Sequence, residues 1–498
     1  MMAEISEVDS MIERLIPSPK SVSLQEGELL IPFTAKCDHT PWQEHLATLQ
    51  EVFFKLFRKN LADGDGGVIL SYDPMIPAGH YRIDTTKQVI LAASDDEGIL
   101  YAIASFYQLV TYPKKGGSLW MENGKIKVEK AVIEDWPEKD FRGVMVDLAR
   151  QWHPARTVHC YIDICFMLKI RYLHLHFMDN QSYTLPTKAF PKAHGDKRFY
   201  SYEDVASFNE HAKARGIILI PEVEAPGHAR ALNDAYPEVF ANEMEEDSGV
   251  MISEAGEVID AGTVICPGSQ KAVEGIGTIL KEVCELFPDS PYIHIGGDEA
   301  NINAWNYCTK CKAYMKERGI ENAGELYSDF VGQTARAVLA LGRTPIVWEG
   351  FPKEGTHRIP KETIVIAWES HYHLAPDLLK AGFKIINCAW QPLYIVPSII
   401  RRWNFSDILS WSMYRWTHFW EKSPARLNPI HVEPTDQVWG GQLAVWECTY
   451  EQEIGRVMEN LPALAERTWT VERKFDDEAF RIKMTPMVRL LSWIIQED

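Results

Sequence analysis

Over the last three quarters of the chain, apolar runs of about four to seven residues recur, each followed by a stretch with helical spacing. Runs this continuous read as buried parallel strands, because both faces are covered, whereas a half-exposed strand alternates. Eight are found, at residues 143–148, 172–177, 217–223, 292–295, 344–348, 364–368, 383–388 and 443–446. Eight strand-then-helix units over about 360 residues predict a (β/α)8 TIM barrel with insertions rather than an open doubly wound sheet. Before residue 135 the grammar differs. Short β-type runs at 67–72 and 88–93 alternate with helical patterns at 42–59 and 97–110, and Asn123-Gly124 marks a hairpin. The chain is therefore read as α/β throughout, with a smaller accessory α/β domain at 1–134 and a catalytic barrel at 135–498.

Charge and cysteine usage remove several function classes. With 51 Lys+Arg against 70 Asp+Glu, the net charge is −19, and no basic patch offsets it. Such a chain repels polyphosphate and anionic lipid, so no nucleic-acid partner is expected. No stretch reaches the roughly 18 uncharged apolar residues of a membrane span. The first nine residues are acidic and lack an apolar core, which points to a cytoplasmic location. Nine scattered cysteines, an odd number, read as reduced thiols rather than a disulfide framework.

In such a barrel the chemistry gathers at the C-terminal strand ends, and here those ends are polar and aromatic. They carry Asp147 and Arg150; Asp179-Asn180-Gln181; Glu222-Val223-Glu224 with His228; Gly296-Gly297-Asp298-Glu299; Trp348-Glu349; Trp368-Glu369; Trp390 with Tyr394; and Trp446-Glu447. Aromatic walls with acids between them describe a sugar pocket. The competing reading is that tryptophans merely fill a core; yet 11 of the 16 lie from Trp348 onward, and four follow the strand ends.

The adjacent pair Asp298-Glu299 carries more weight. Neighbours in a regular strand face opposite ways, so both reach one substrate only where the strand stops, and Gly296-Gly297 gives the freedom to bend. Two carboxylates suit acid-catalysed glycoside cleavage, one protonated and one ionised. Glu299 is the candidate acid, which requires a pKa above the ordinary value of about 4.3 through a shielded site and the Asp298 charge. A solvated turn is the bland alternative, but the apolar lead-in Tyr292-Ile293-His294-Ile295 argues against a surface loop.

Two rival classes remain open at this point. His174-Leu175-His176 places two imidazoles on one strand face, and with His228, Asp298 and Glu224 could form a metal-dependent amidohydrolase-type site, although indole-ringed strand ends suit that poorly. A non-catalytic sugar-binding barrel would keep the tryptophans and lack the acid. Cys308-Thr309-Lys310-Cys311 has metal-like spacing, but without an accompanying Cys or His pair it reads as helix-start packing.

The segments Phe141-Arg142-Gly143-Val144-Met145-Val146-Asp147-Leu148-Ala149-Arg150, His174-Leu175-His176-Phe177-Met178-Asp179-Asn180-Gln181, Ile220-Pro221-Glu222-Val223-Glu224-Ala225-Pro226-Gly227-His228 and His294-Ile295-Gly296-Gly297-Asp298-Glu299 resemble the family 20 glycoside hydrolases, the β-N-acetylhexosaminidases. The resemblance implies a retaining, exo-acting enzyme with no metal or cofactor, acting on oligosaccharides or glycoconjugates ending in GlcNAc or GalNAc. Its nucleophile would be the substrate's own 2-acetamido oxygen, an exception to the two-carboxylate scheme. It further implies Glu299 as acid and then base, Asp298 as partner of the acetamido N–H, and Tyr394 as donor to the acetamido oxygen. Arg150 would hold the 3- and 4-hydroxyls, Trp348, Trp368 and Trp446 would wall the ring, and Asp179 with His228 would relay to Glu299. His174 and His176 read as strand packing or pocket support.

Departures from the family pattern limit this transfer. Val396 stands where an acid commonly reaches the outer hydroxyls, Glu447 follows Trp446 directly instead of after one residue, and Glu224, Asn180 and Tyr183 replace more usual Asp, Asp and Trp. The tryptophan-rich stretch 397–439 is expected to be a packing helix pair, with a lid or second-sugar platform as the alternative.

Overall fold

The computed structural model describes residues 14–110, 121–245, 250–252, 258–398 and 401–496. In the first unit a mixed sheet runs in the order Ser21–Ile31, Lys125–Asp135, Tyr81–Asp84, Val89–Ala93, Val68–Tyr72, Thr34–Cys37 and Ala62–Asp63. At the expected hairpin Asn123 and Gly124 both take positive φ, 52° and 71°, the conformation that lets a two-residue turn follow strand twist. Helix Asp96–Val110 has 13 of its residues buried, because the sheet lies on one side and barrel helix Ala155–Met167 on the other. A helix apolar all round needs such enclosure.

The barrel strands are β1 (Phe141–Asp147), β2 (Tyr172–His176), β3 (Ile218–Glu222), β4 (Tyr292–His294), β5 (Thr344–Trp348), β6 (Ile364–Ala367), β7 (Lys384–Asn387) and β8 (Val438–Val445). All neighbours are parallel, and pairing of β8 with both β7 and β1 closes the ring. β8 begins five residues before the apolar run that announced it. Gly440-Gly441 breaks that run, and the reason is steric: a Cβ on Gly440 would lie 1.8 Å from the Phe141 carbonyl oxygen. Only glycine lets β8 approach β1 there. Phe141, Tyr172, Tyr292 and Trp439 plug the N-terminal end, with the Phe141 and Tyr172 rings stacked at 4.6 Å.

The stretch 397–439 is not the expected helix pair. Its described residues contain one α-helix of six residues, Phe405–Ser410, and a small ribbon of Arg415–Trp416 with Ile430–His431. Pro424, Pro429 and Pro434 deny it further helical hydrogen bonds. Its tryptophans divide. Trp411, Trp416 and Trp439 are buried, Trp416 donating to the Ala367 carbonyl at 3.0 Å, whereas Trp403 lies against Trp390 and Trp420 against His371. No helix among the described residues is long and apolar enough to cross a membrane.

Candidate active site

The strand ends converge on a cavity of about 180 Å³ lined by Arg150, Asp298, Glu299, Trp348, Trp368, Trp390, Tyr394, Val396, Trp446 and Glu447. β4 stops at His294, after which Gly296 and Gly297 take φ of 66° and 90°. A Cβ on Gly296 would lie 1.6 Å from a Glu224 carboxyl oxygen, and one on Gly297 2.3 Å from Val347. This bend turns Asp298 and Glu299 to the same side, as their adjacency requires. Glu299 itself carries positive φ, 42°. One expectation fails: the Glu299 side chain is 48% exposed rather than shielded. The left-handed backbone swings it to the cavity mouth, where only a bound substrate would cover it. Asp298 stays deeper, with its Oδ1 buried and without a protein partner among the described residues.

His228 connects the acids to the barrel. Its Nε2 lies 3.5 Å from Glu299 and 3.7 Å from Asp298, and its Nδ1 3.3 Å from Asp179. Asp179 also meets His176 Nε2 at 3.1 Å and Arg150 Nη2 at 2.7 Å. Burial works against charge at both ends of this chain. At Asp179 it is outweighed by His228, His176 and Arg150, which hold the carboxyl far below the usual range. At His228 it is outweighed by Asp179 and by hydrogen bonding to Asp298 and Glu299, which raise the imidazole well above 6.5. Arg150 is thereby fixed in place, spread over the Trp446 ring at 4.7 Å with its Nε 4.0 Å from Glu447. Glu447, despite the missing spacer residue, lines the cavity.

Tyr394 stacks on Trp390 at 4.7 Å and lies parallel to Trp368 at 6.0 Å, so its ring is fixed between indoles. Val396 lines the same cavity, so the apolar residue that replaces the usual acid faces the substrate space.

A family model described as the catalytic domain of glycosyl hydrolase family 20 matches residues 140–472, and one for domain 2 of that family matches 13–136. The chain belongs to glycosyl hydrolase family 20. Among its relatives, a beta-hexosaminidase of Vibrio furnissii is 27% identical over 422 residues, covering 79% of this chain and 66% of that protein. One from Akkermansia muciniphila is 30% identical over 65% of each chain, so the chain spans about two thirds of these relatives. Solved family 20 structures share the fold. The exo beta-N-acetylglucosaminidase of Vibrio harveyi, in complex with N-acetylglucosamine, aligns with TM-score 0.80 at 21% identity over 99% of this chain and 79% of that one. A Bacteroides fragilis beta-N-acetylhexosaminidase aligns at TM-score 0.74 and 23% identity over 94% and 93%. Membership makes the chain a glycoside hydrolase, which displaces the sugar-binding and amidohydrolase readings.

Within this family 20 barrel, the His-x-His pair has a definite task. Glu222, at the end of β3, receives Trp348 Nε1 and His176 Nδ1 at 2.5 Å each, with His294 Nδ1 at 2.8 Å and His174 Nε2 at 3.0 Å. Burial opposes its charge, but the three imidazoles hold its pKa well below normal. The cage fixes Trp348 against the cavity and passes order through His176 to Asp179. Burial pushes His174 down to about 4, whereas Glu222 and Asp179 overcome burial at His176 and raise it to about 9. A raised histidine contributes stability that is complete below the unfolded value of about 6.5 and lost as pH rises through 9. The melting-temperature advantage of the native chain over His176→Asn is therefore expected to shrink from about pH 6 to pH 10; a constant difference would remove this role from His176.

Glu224 is buried, and neither carboxyl oxygen has a hydrogen-bond partner among the described residues; burial first, then the Asp298 and Glu222 charges, push its pKa well up. Glu349 accepts from the backbone N–H of Trp368, Ser370, His371, Tyr372 and His373 at 2.9–3.3 Å, which ties down the loop behind Trp368. Burial nevertheless pushes its pKa up to about 7. Trp390 closes the far wall. A larger cavity of about 310 Å³ lies where the first unit meets the N-terminal strand ends, lined by residues such as Glu44, Arg171 and Ser290. It lies away from the C-terminal strand ends, where barrel chemistry gathers.

Proposed function

We propose that the chain is an exo-acting, retaining β-N-acetylhexosaminidase that removes terminal β-linked GlcNAc or GalNAc from an oligosaccharide or glycoconjugate. The observation that carries this reading is the delivery of Asp298, Glu299 and Tyr394 into one indole-walled cavity sized for a single sugar. The names of its relatives, beta-hexosaminidases at 27% and 30% identity, support it.

In this mechanism the substrate's acetamido oxygen attacks the anomeric carbon as Glu299 gives its proton to the departing glycosidic oxygen. The bond to the leaving group breaks and a cyclic oxazolinium forms. Glu299, now a carboxylate, takes a proton from water as that water attacks the same carbon, reopening the ring with net retention. Asp298 accepts from the acetamido N–H and balances the oxazolinium charge, and Tyr394 donates to the attacking oxygen. The fork of Arg150, held by Asp147 and Asp179 at 3.2 and 2.7 Å, presents its outer edge to sugar hydroxyls. Trp348, Trp368 and Trp446 exclude water from the acetamido group.

Hydrolysis of aryl β-GlcNAc, β-GalNAc and β-glucoside, each with and without a thiazoline mimic of the cyclised intermediate, tests the reading. Cleavage of the two acetamido sugars alone, blocked by thiazoline, is expected; equal cleavage of the glucoside would mean that the acetamido group is idle. Tyr394→Phe is expected to lower kcat by about 10–100-fold with little change in KM, because a hydrogen bond to a charge-bearing oxygen is worth about 1.5–3 kcal/mol. An unchanged kcat would take Tyr394 out of the reaction.

A further inference from the structure

The CxxC at 308–311 is not alone. The fold brings Cys266 to it from 42 residues upstream, placing its Sγ 3.5 Å from Cys308 Sγ and 3.6 Å from Cys311 Sγ. All three side chains are buried, and their sulfurs lie within 4.8 Å of one another. A disulfide would bring one pair to about 2.05 Å and leave the third thiol over. The observed spacing instead matches the edge of a tetrahedron around zinc, about 3.8 Å for Zn–S bonds of about 2.3 Å.

The backbone is shaped to make this meeting. A Cβ on Gly268 would lie 2.5 Å from the Lys310 carbonyl, so the Cys266-Pro267-Gly268 turn rests directly on the CxxC turn. Cys308 is the N-cap of helix Thr309–Arg318, where the helix dipole favours a thiolate. Asn242 Nδ2 donates to the Val264 carbonyl at 2.8 Å, which turns its Oδ1 toward Cys311 Sγ at 3.8 Å.

We propose that Cys266, Cys308 and Cys311 bind one Zn²⁺ ion as a structural clip, outside the catalytic cavity. Its place in the fold gives it a task. Ile265, next to Cys266, donates its N–H to the Pro226 carbonyl at 2.9 Å and accepts Trp305 Nε1 at 3.1 Å, while Ala229 N–H reaches Thr263 at 3.0 Å. Cys308 ends the 3-10 helix Ile302–Tyr307, which begins three residues after Glu299. The ion thus joins the loop that carries His228 to the loop that carries Asp298 and Glu299, and sets their separation.

The test uses the full chain purified without a metal-affinity step. Elemental analysis is expected to find about one zinc per chain, falling at least fivefold in Cys308→Ser/Cys311→Ser and in Cys266→Ser, but not in Cys388→Ser, a buried cysteine elsewhere. Cobalt exchanged into the native chain is expected to give the intense visible bands of a tetrahedral thiolate site, a readout that stands even if a cysteine variant fails to fold. Zinc retained in a folded variant lacking these thiols would put the ion elsewhere and overturn the proposal. So would native protein free of zinc, with a Cys266–Cys308 or Cys266–Cys311 disulfide or three alkylatable thiols by mass spectrometry. Glycosidase activity decides neither outcome.

Discussion

Glu299→Gln is expected to lower kcat on substrates with poor leaving groups, such as a β-linked disaccharide, by about 10²–10⁴-fold, the usual contribution of a positioned general acid. The geometry behind this is specific. Glu299 stands at the cavity mouth, half exposed, with His228 Nε2 at 3.5 Å, where the leaving oxygen of an exo-bound sugar would pass. Glutamine keeps the volume and loses the proton. A nitrophenyl leaving group departs without protonation, so its first step should be far less affected. The second step still loses its base, and added azide, which needs none, should restore turnover of the nitrophenyl substrate. Equal loss on both leaving groups without azide rescue would deny Glu299 both tasks.

The barrel was legible because continuous apolar runs admit few other readings, and seven of the eight strands begin within two residues of those runs. β8 extends upstream of its apolar run because its first half is built on Gly440-Gly441, whose close approach to β1 is a tertiary demand with no apolar signature. The stretch 397–439 was less legible. Its tryptophan spacing did not decide between packing and a platform, and the structure divides them: Trp411 and Trp416 are buried against the barrel, whereas Trp403 lies against Trp390 and Trp420 against His371.

The site was legible wherever adjacency itself constrains geometry, as at Asp298-Glu299, and much less so where partners come from different strands. His174-x-His176 was visible as a spacing, but its target Glu222 and the third imidazole, His294, come from β3 and β4. The upward push on the Glu224 pKa follows from its burial beside Asp298 and Glu222, which no local pattern encodes. Cys266 was invisible as a partner of the CxxC because its turn reaches that sequence only through Gly268.

Asp298→Asn is expected to lower kcat/KM for acetamido sugars by about 10²–10³-fold, as for removal of one electrostatic partner of a developing charge. Asp298 is 7% exposed, its Oδ1 has no protein partner among the described residues, and its Oδ2 is 3.7 Å from His228. Leaving a buried acceptor unpaired costs about 1–3 kcal/mol, and more for a charged group. A fold tolerates that where a donor arrives with the substrate, and the acetamido N–H is the donor that the proposed mechanism supplies. Asparagine fills the same space but cannot balance the oxazolinium charge. The second consequence runs the other way. The Asp298 charge is, after burial, the largest influence pushing Glu224 up, so neutralising it relieves a repulsion between buried acids and lets Glu224 titrate nearer its ordinary range. Asp298→Asn should therefore melt no lower than the native chain while turning over far more slowly. A variant that melts lower and keeps its kcat/KM would make Asp298 a structural residue and move the acetamido contact elsewhere in the cavity.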